Sequence, residues 1–219
     1  YYKGKIHGEV VSYYENGKKK HRGFFSLGIQ DSIMTSWYDN GKMMESGEYD
    51  QGKKIKEWEY WYKSGKKMMV ESYEKGEEQL IAFWDTSGVL KVNDGEGEKI
   101  TYYLGGGKKN LYTYKAGYLN GIFQEWFPLG EEKINGNYKN GKRHGVWTYW
   151  FENGNVEKKM TFENDSLHGK HMEYFQTGQI RFEGSYDKGK KEGQWNWYTK
   201  KGKKDISGFA KSIVEEKDA

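Results

Sequence analysis

The chain reads as an all-β protein, an elongated single-layer antiparallel sheet of about nine tandem β-hairpins. Three observations predict this. Glycine returns every 24 residues, at Gly4, Gly28, Gly52 and Gly76 and again at Gly117, Gly141 and Gly189, with Asp165 filling one slot. A second series runs 13 residues behind it, at Gly17, Gly41, Gly65, Gly130, Gly154, Gly178 and Gly202, with Gly88 one residue early. The runs between these glycines are 6–9 residues long, the length of strands and too short for helices. Self-similarity at such a period marks a repeat architecture, and a stack of like units is more often a surface for binding than a cage for chemistry.

Each repeat is expected to be a hairpin with a turn at either edge. Asn16-Gly17, Asn40-Gly41 and Asn153-Gly154 stand between aromatic-rich runs. Asn-Gly is the strongest short-range hairpin signal, because both residues of a two-residue turn need φ > 0. The other edge is predicted to carry Gly-Lys-x-x-Gly turns such as Gly141-Lys142-Arg143-His144-Gly145. Gly4, Gly17, Gly28, Gly41, Gly52, Gly65, Gly141, Gly154, Gly189 and Gly202 are therefore read as structural turn glycines. Between turns, Trp147, Tyr149 and Phe151 alternate with Val146, Thr148 and Trp150, the period of a strand. Equivalent residues of successive hairpins should lie about 9.5 Å apart, and nine hairpins would span roughly 80 Å.

The period slips once. Between Gly76 and Asn93, the next position in register, there are 17 residues instead of 24. A short return strand, residues 89–92, enters Asn93-Asp94-Gly95, and Gly105-Gly106-Gly107 follows. That combination is expected to kink or strongly twist the sheet. It divides the array into repeats 1–92 and 93–208, with 209–219 as a C-terminal tail or a short helical cap.

Composition agrees with a thin, aromatic-rich fold. Hydrophobic residues make up 35% and aromatics 17%, so rings supply half of the apolar content. A mean hydropathy of −1.08 alone would suggest disorder, but Tyr, Trp and Phe bury large areas per side chain. The 36 basic and 32 acidic residues are interleaved without a basic block, which argues against nucleic acid. No Cys is present, so disulfides and thiolate zinc sites are excluded. No apolar run approaches a membrane span. Lys5, Lys53, Lys142 and Lys190 on one edge, and Lys18, Lys42 and Lys66 on the other, guard against sheet association and leave peripheral membrane contact open. The chain opens at Tyr1, without Met and inside a repeat. Localisation stays open between the bacterial cell envelope, for a processed or lipid-anchored precursor, and the cytoplasm.

The pattern Gly-Lys-x-x-Gly-x-Trp-x-x-Trp/Tyr-Phe/Tyr-x-Asn-Gly, followed by Gly-x-Tyr, resembles the bacterial variant of the MORN repeat, in proteins labelled as YwqK-type antitoxins. The clearest copies are Tyr138 to Gly154 and Tyr186 to Tyr198. The resemblance extends from residue 1 to about 209 and implies a scaffolding or binding role, or neutralisation of a cognate toxin. Asp31, Ser32 and Lys56 depart from it, the last two by replacing the second glycine, and the fourth unit is compressed.

Columns alike in every unit are expected to serve the architecture, and columns that vary to serve recognition. The column Tyr13, Trp37, Trp61, Trp126, Trp150, Tyr174, Tyr198 is always aromatic, as is Phe25, Tyr49, Tyr73, Tyr114, Tyr138, Phe162, Tyr186. Two neighbouring columns vary, and they place paired rings on single strands: Trp58 with Tyr60, Trp147 with Tyr149, and Trp195 with Trp197. These six are the candidate binding residues. His7, His144 and His168 hold one slot before a turn glycine, too far apart to share a metal ion. Gly105-Gly106-Gly107-Lys108-Lys109 lacks the strand-to-helix context of a phosphate loop. No catalytic constellation and no cofactor site is expected. The functional expectation is a non-catalytic scaffold that binds a protein partner through an extended aromatic surface. Carbohydrate or cell-wall binding and toxin neutralisation are the alternatives.

Overall fold

A computed structural model describes residues 1–205. The tail or cap expected at 209–219 lies outside the described residues. Those residues form seventeen strands and no helix. They fall into two compact units, one of residues 1–99 with 114–118 and the other of 100–113 with 119 onward.

The first unit holds β1 (Gly8–Tyr13), β2 (Lys19–Ser26), β3 (Ile29–Trp37), β4 (Met43–Asp50), β5 (Lys53–Trp61), β6 (Lys67–Glu74), β7 (Glu77–Trp84) and β8 (Leu90–Asn93). β9 (Glu96–Tyr102) and β10 (Lys108–Lys115) contribute residues to both units. The second unit continues with β11 (Tyr118–Trp126), β12 (Glu132–Lys139), β13 (Lys142–Trp150), β14 (Val156–Glu163), β15 (Ser166–Tyr174), β16 (Ile180–Asp187) and β17 (Lys190–Trp197). Within each unit consecutive strands pair antiparallel, so each is an open sheet of hairpins.

The two edges turn differently, and the Asn-Gly expectation is corrected. Tyr14 N donates to Lys18 O at 2.8 Å and Gly17 N to Tyr14 O at 2.9 Å. This closes a three-residue loop in which only Gly17 has positive φ, +78°. The Asn16 Oδ1 accepts from Lys18 N at 3.1 Å, a side-chain cap that lets asparagine keep an ordinary φ. Asn40 and Asn153 do the same. The two-residue turns with both φ positive lie at the opposite edge, at Gln51 (47°) with Gly52 (79°) and Asn140 (50°) with Gly141 (78°). Each Asn of the loop edge also reaches the next hairpin. The Asn16 Nδ2 donates to Asp39 O at 2.9 Å and the Asn40 Nδ2 to Lys63 O at 2.8 Å.

The slip in the period is local. β8 has four residues and enters an Asp94-Gly95 turn with both φ positive. The Gly105-Gly106-Gly107 stretch makes the ordinary three-residue loop: Gly106 N donates to Tyr103 O at 2.9 Å, Tyr103 N to Gly107 O at 2.8 Å, and only Gly106 has positive φ.

The second glycine of the motif begins a bulge. On the β4–β5 pair, Ser46 faces Glu59 and Glu48 faces Ile55, so Lys56, Glu57 and Trp58 oppose the single residue Gly47. The same three-against-one bulge sets Gly145, Val146 and Trp147 against Gly136, and Gly193, Gln194 and Trp195 against Gly184. The first residue of the bulge is left-handed: Gly145 at 75° and Gly193 at 64°, but also Ser32 at 61° and Lys56 at 59°. A left-handed residue with a Cβ costs about 1–2 kcal/mol. Ser32→Gly and Lys56→Gly are each expected to stabilise the first unit by about 0.5–1 kcal/mol, after the entropic cost of glycine, read as a higher urea midpoint with an unchanged slope.

Candidate functional site

The bulge explains how a one-layer sheet acquires an interior. It swings a large ring across the neighbouring strand, onto a residue with no side chain. A Cβ added to Gly47 would lie 2.2 Å from the Trp58 ring, one on Gly136 2.3 Å from Trp147, and one on Gly184 2.2 Å from Trp195. The indole N–H then reaches the strand it covers, Trp58 Nε1 donating to Glu48 O at 3.1 Å and Trp147 Nε1 to Asn137 O at 3.2 Å. A tyrosine two residues after the glycine stands edge-on against the indole: Tyr49 at 4.9 Å, Tyr138 at 5.1 Å and Tyr186 at 5.1 Å, interplanar angles 82–87°. Such edge-to-face pairs add about 0.5–1.5 kcal/mol each beyond area burial.

The six candidate binding residues are therefore placed as follows. Trp58 (0% exposed), Trp147 (3%) and Trp195 (8%) are interior, and Tyr60 is buried beside Trp58. Tyr149 and Trp197 are half-buried on the same inner face. These rings meet one another: Trp58 is 6.4 Å from Tyr60 and Trp195 is 6.1 Å from Trp197. Phe123 stacks on Trp147 at 5.4 Å and Phe162 meets it at 6.2 Å. They fill the core of each unit and leave little ring area for a partner.

Where the glycine is replaced, the interior turns polar. Glu71 is buried opposite Trp58, and the Tyr73 hydroxyl donates to its Oε2 at 2.9 Å. The Lys54 Nζ lies 4.1 Å from the Trp58 ring centroid and donates to the Tyr60 hydroxyl at 2.7 Å. Burial, then the Glu71 carboxylate, pushes the Tyr60 phenol far above its usual range; burial and the Glu71 hydrogen bond raise Tyr73. Burial pulls the Lys99 ammonium down, against the opposing pull of Glu71 and Glu78. Both phenols stay protonated at neutral pH, so the cluster is a satisfied network with no activated nucleophile.

His171 holds the tryptophan slot on β15; on the β14 side it meets Met160, where the other bulges have glycine, and on the β16 side it is registered with Gly184. It packs 5.5 Å from Phe182 and 5.6 Å from Tyr186, and its Nε2 is 3.4 Å from the Glu173 carboxylate, whose pKa this hydrogen bond lowers. His171→Trp alone is expected to destabilise the second unit, since an indole there meets the Met160 side chain. His171→Trp with Met160→Gly should recover about 1–3 kcal/mol of that loss in a urea double-mutant cycle.

Trp37 and Trp61 were read from the sequence as architectural, and Trp84 was not singled out. Met34 and the fully buried Ser36 face inward, so Trp37 two strand positions from Thr35 faces out. Trp37, Trp61 and Trp84 end β3, β5 and β7, opposite Met43, Lys67 and Leu90, and all three are half-buried, as Tyr149 and Trp197 are. They form a line of one indole per hairpin. The backbone at each is tied to the neighbouring hairpin: the Tyr14 hydroxyl donates to the Trp37 carbonyl, Tyr38 to that of Trp61 and Tyr62 to that of Trp84, each at 2.8 Å. Lys19 lies 6.0 Å from the Trp37 ring and Lys67 5.8 Å from that of Trp84. The constant aromatic column carried this signal, but constancy spoke for packing and hid the exposure.

Glycine-seated rings inside, tyrosine-braced indoles outside and one hairpin per 24 residues define a β-hairpin repeat protein. Four of its repeats are similar to the MORN type: the family model described as MORN repeat variant matches residues 6–26, 30–51, 143–164 and 167–188. No curated protein matches the chain. Among the described residues no group of three or more His, Cys, Asp or Glu is placed to hold a metal ion, and no helix is long and apolar enough to cross a membrane.

Proposed function

We propose that this chain is a non-catalytic repeat scaffold that holds a protein partner on the outward indole line of its first unit. The observation that carries the reading is that line, Trp37, Trp61 and Trp84, one half-buried ring per hairpin, each on a strand end whose backbone carbonyl accepts from a tyrosine hydroxyl. Protein interfaces draw most of their energy from a few rigid Trp, Tyr and Arg side chains. The lysines beside them, Lys19 and Lys67, suit a partner with acidic groups at its rim. A catalytic role would call for a deep water-excluding pocket, and the hollows on this surface are shallow and open.

The test is affinity capture from the native source with the parent chain and a Trp37→Ala/Trp61→Ala variant of unchanged circular dichroism. A partner retained by the parent and lost by the variant, and then bound by purified components at least about thirtyfold more weakly by the variant, is the expected result. Capture that is identical for both proteins would sink the reading.

A further inference from the structure

We propose that the outward ring row of the first unit binds a proline-rich segment of its partner in the polyproline II conformation. The proposal rests on the protein-docking reading above and goes beyond it by naming the backbone form that the row selects. Register fixes the row. Ser12, Ser36, Tyr60 and Phe83 lie on one line across β1, β3, β5 and β7. Each is joined to the next through a single partner on the strand between, His21, Glu45 or Met69. Tyr13, Trp37, Trp61 and Trp84 each stand one residue past that line and so on the opposite face. The same register shift follows on all four strands, which keeps the rings in step. Successive rings are therefore two strand spacings apart, about 9.5 Å between backbone positions. Tyr13 is 58% exposed and the three indoles are half-buried. The tyrosine hydroxyls tie these strand ends across hairpins. In the second unit Trp126 has such a tie from Tyr103, but the column then becomes Phe127, Phe151 and Phe175, which have no hydroxyl to donate.

The period of the row selects the occupant. An extended strand laid along it repeats a side-chain direction every two residues, about 6.7 Å, and falls out of step at the second ring. The nearest same-face repeat of an α-helix is seven residues, about 10.5 Å, which drifts by about 3 Å over four rings. Polyproline II repeats every three residues, about 9.3 Å, and stays within about 1 Å over the same length. Hollows alternate with the rings to receive it. Met43, registered with Trp37, lines one with Trp61, Ser64 and Gly65, and Tyr13 and Tyr14 line another with Lys20 and Asp39. A polyproline II segment makes no internal hydrogen bonds, so its carbonyls are open to donors. The indole N–H groups of Trp37, Trp61 and Trp84 have no acceptor among the described residues and can supply them. Aromatic-lined grooves take such segments at low entropic cost, because the ligand is preformed. Charges of both signs flank the row, Lys19, Lys20 and Lys67 with Glu15 and Asp39, so spacing and not charge decides the backbone form.

Fluorescence anisotropy with a labelled decaproline, about 31 Å long and so able to span all four rings, tests it against a Gly-Ser decapeptide carrying the same label. Decaproline is expected to bind saturably and at least about tenfold more tightly than the control. Trp61→Ala and Tyr13→Ala should each weaken it at least about tenfold, while Trp150→Ala in the second unit leaves it unchanged. Tyr13 is exposed, so its variant remains informative even if Trp61→Ala disturbs the fold. Decaproline binding no tighter than the control, or indifferent to both first-unit variants, or weakened as much by Trp150→Ala as by Trp61→Ala, overturns the proposal. If decaproline fails while affinity capture still yields a partner that Trp37→Ala/Trp61→Ala loses, this proposal falls and the docking line stands. If both fail, the docking reading falls with it.

Discussion

Gly136→Ala is expected to destabilise the second unit by about 3 kcal/mol, the upper part of the range for overpacking a tight core. The added methyl would stand 2.3 Å from Cδ2 and 2.4 Å from Cε2 of Trp147. Those atoms cannot yield. The ring is stacked on Phe123, edge-on to Tyr138 and Phe162, and tied through its N–H to Asn137 O. Gly136 has no left-handed φ, so backbone strain does not enter and the effect is steric. Gly23→Ala supplies the contrast. There the nearest atom to a new Cβ is the Nε2 tip of Gln30 at 3.2 Å, and the next is the Met34 side chain at 3.8 Å. The first is the end of a flexible chain and the second is at ordinary contact distance, so the change should cost less than about 1 kcal/mol, offset by the lower entropy of an alanine in the unfolded chain. Urea denaturation reads both, with hydrogen exchange on the amides of β11 to β15 for Gly136→Ala and on those of β1 to β4 for Gly23→Ala. Equal effects of the two substitutions would show that the glycines serve the backbone and not the ring.

Trp147→Ala should cost about 4 kcal/mol, within the range for truncating a buried aromatic. The indole is 3% exposed and is the ring against which Phe123, Tyr138 and Phe162 all pack. Its removal opens a cavity and leaves the Asn137 carbonyl without its side-chain donor. The informative measurement is the pair. In a Trp147→Ala background the space above residue 136 is empty, so Gly136→Ala should become nearly neutral. That predicts a coupling energy of roughly 2–3 kcal/mol. Additive effects would mean that the two residues do not meet as the geometry states. Trp197→Ala, at a half-buried ring on the rim of the neighbouring cluster, is expected to cost clearly less.

The same pair shows where sequence reasoning reached and where it stopped. The 24-residue period, the strand lengths and the glycine positions are local properties, and the repeat architecture followed from them because hairpin turns impose φ > 0 at fixed places. Which edge used which turn did not follow. Asn-Gly fits a two-residue turn, but Asn16, Asn40 and Asn153 cap a longer loop with their side chains and keep ordinary dihedrals. A third glycine column, Gly47, Gly136 and Gly184, was visible only as part of Gly-x-Tyr. Its signal was the tryptophan that follows each of them after the same eleven residues. Ring identity alone marked Trp58, Trp147 and Trp195 for binding, and burial placed them inside.

The sequence by itself determined that this chain is an array of hairpins, how long each strand is and where it turns, because these depend on neighbours along the backbone. The tertiary structure decided which face each ring occupies. That choice depends on what lies across the strand, and the clearest case is the glycine under each indole, Gly47 under Trp58, Gly136 under Trp147 and Gly184 under Trp195. It depends as well on a bulge that aims three residues at one. A ring is hidden only where the opposite strand leaves room for it. The rings at the ends of β3, β5 and β7 and of β11 and β13 are covered only in part.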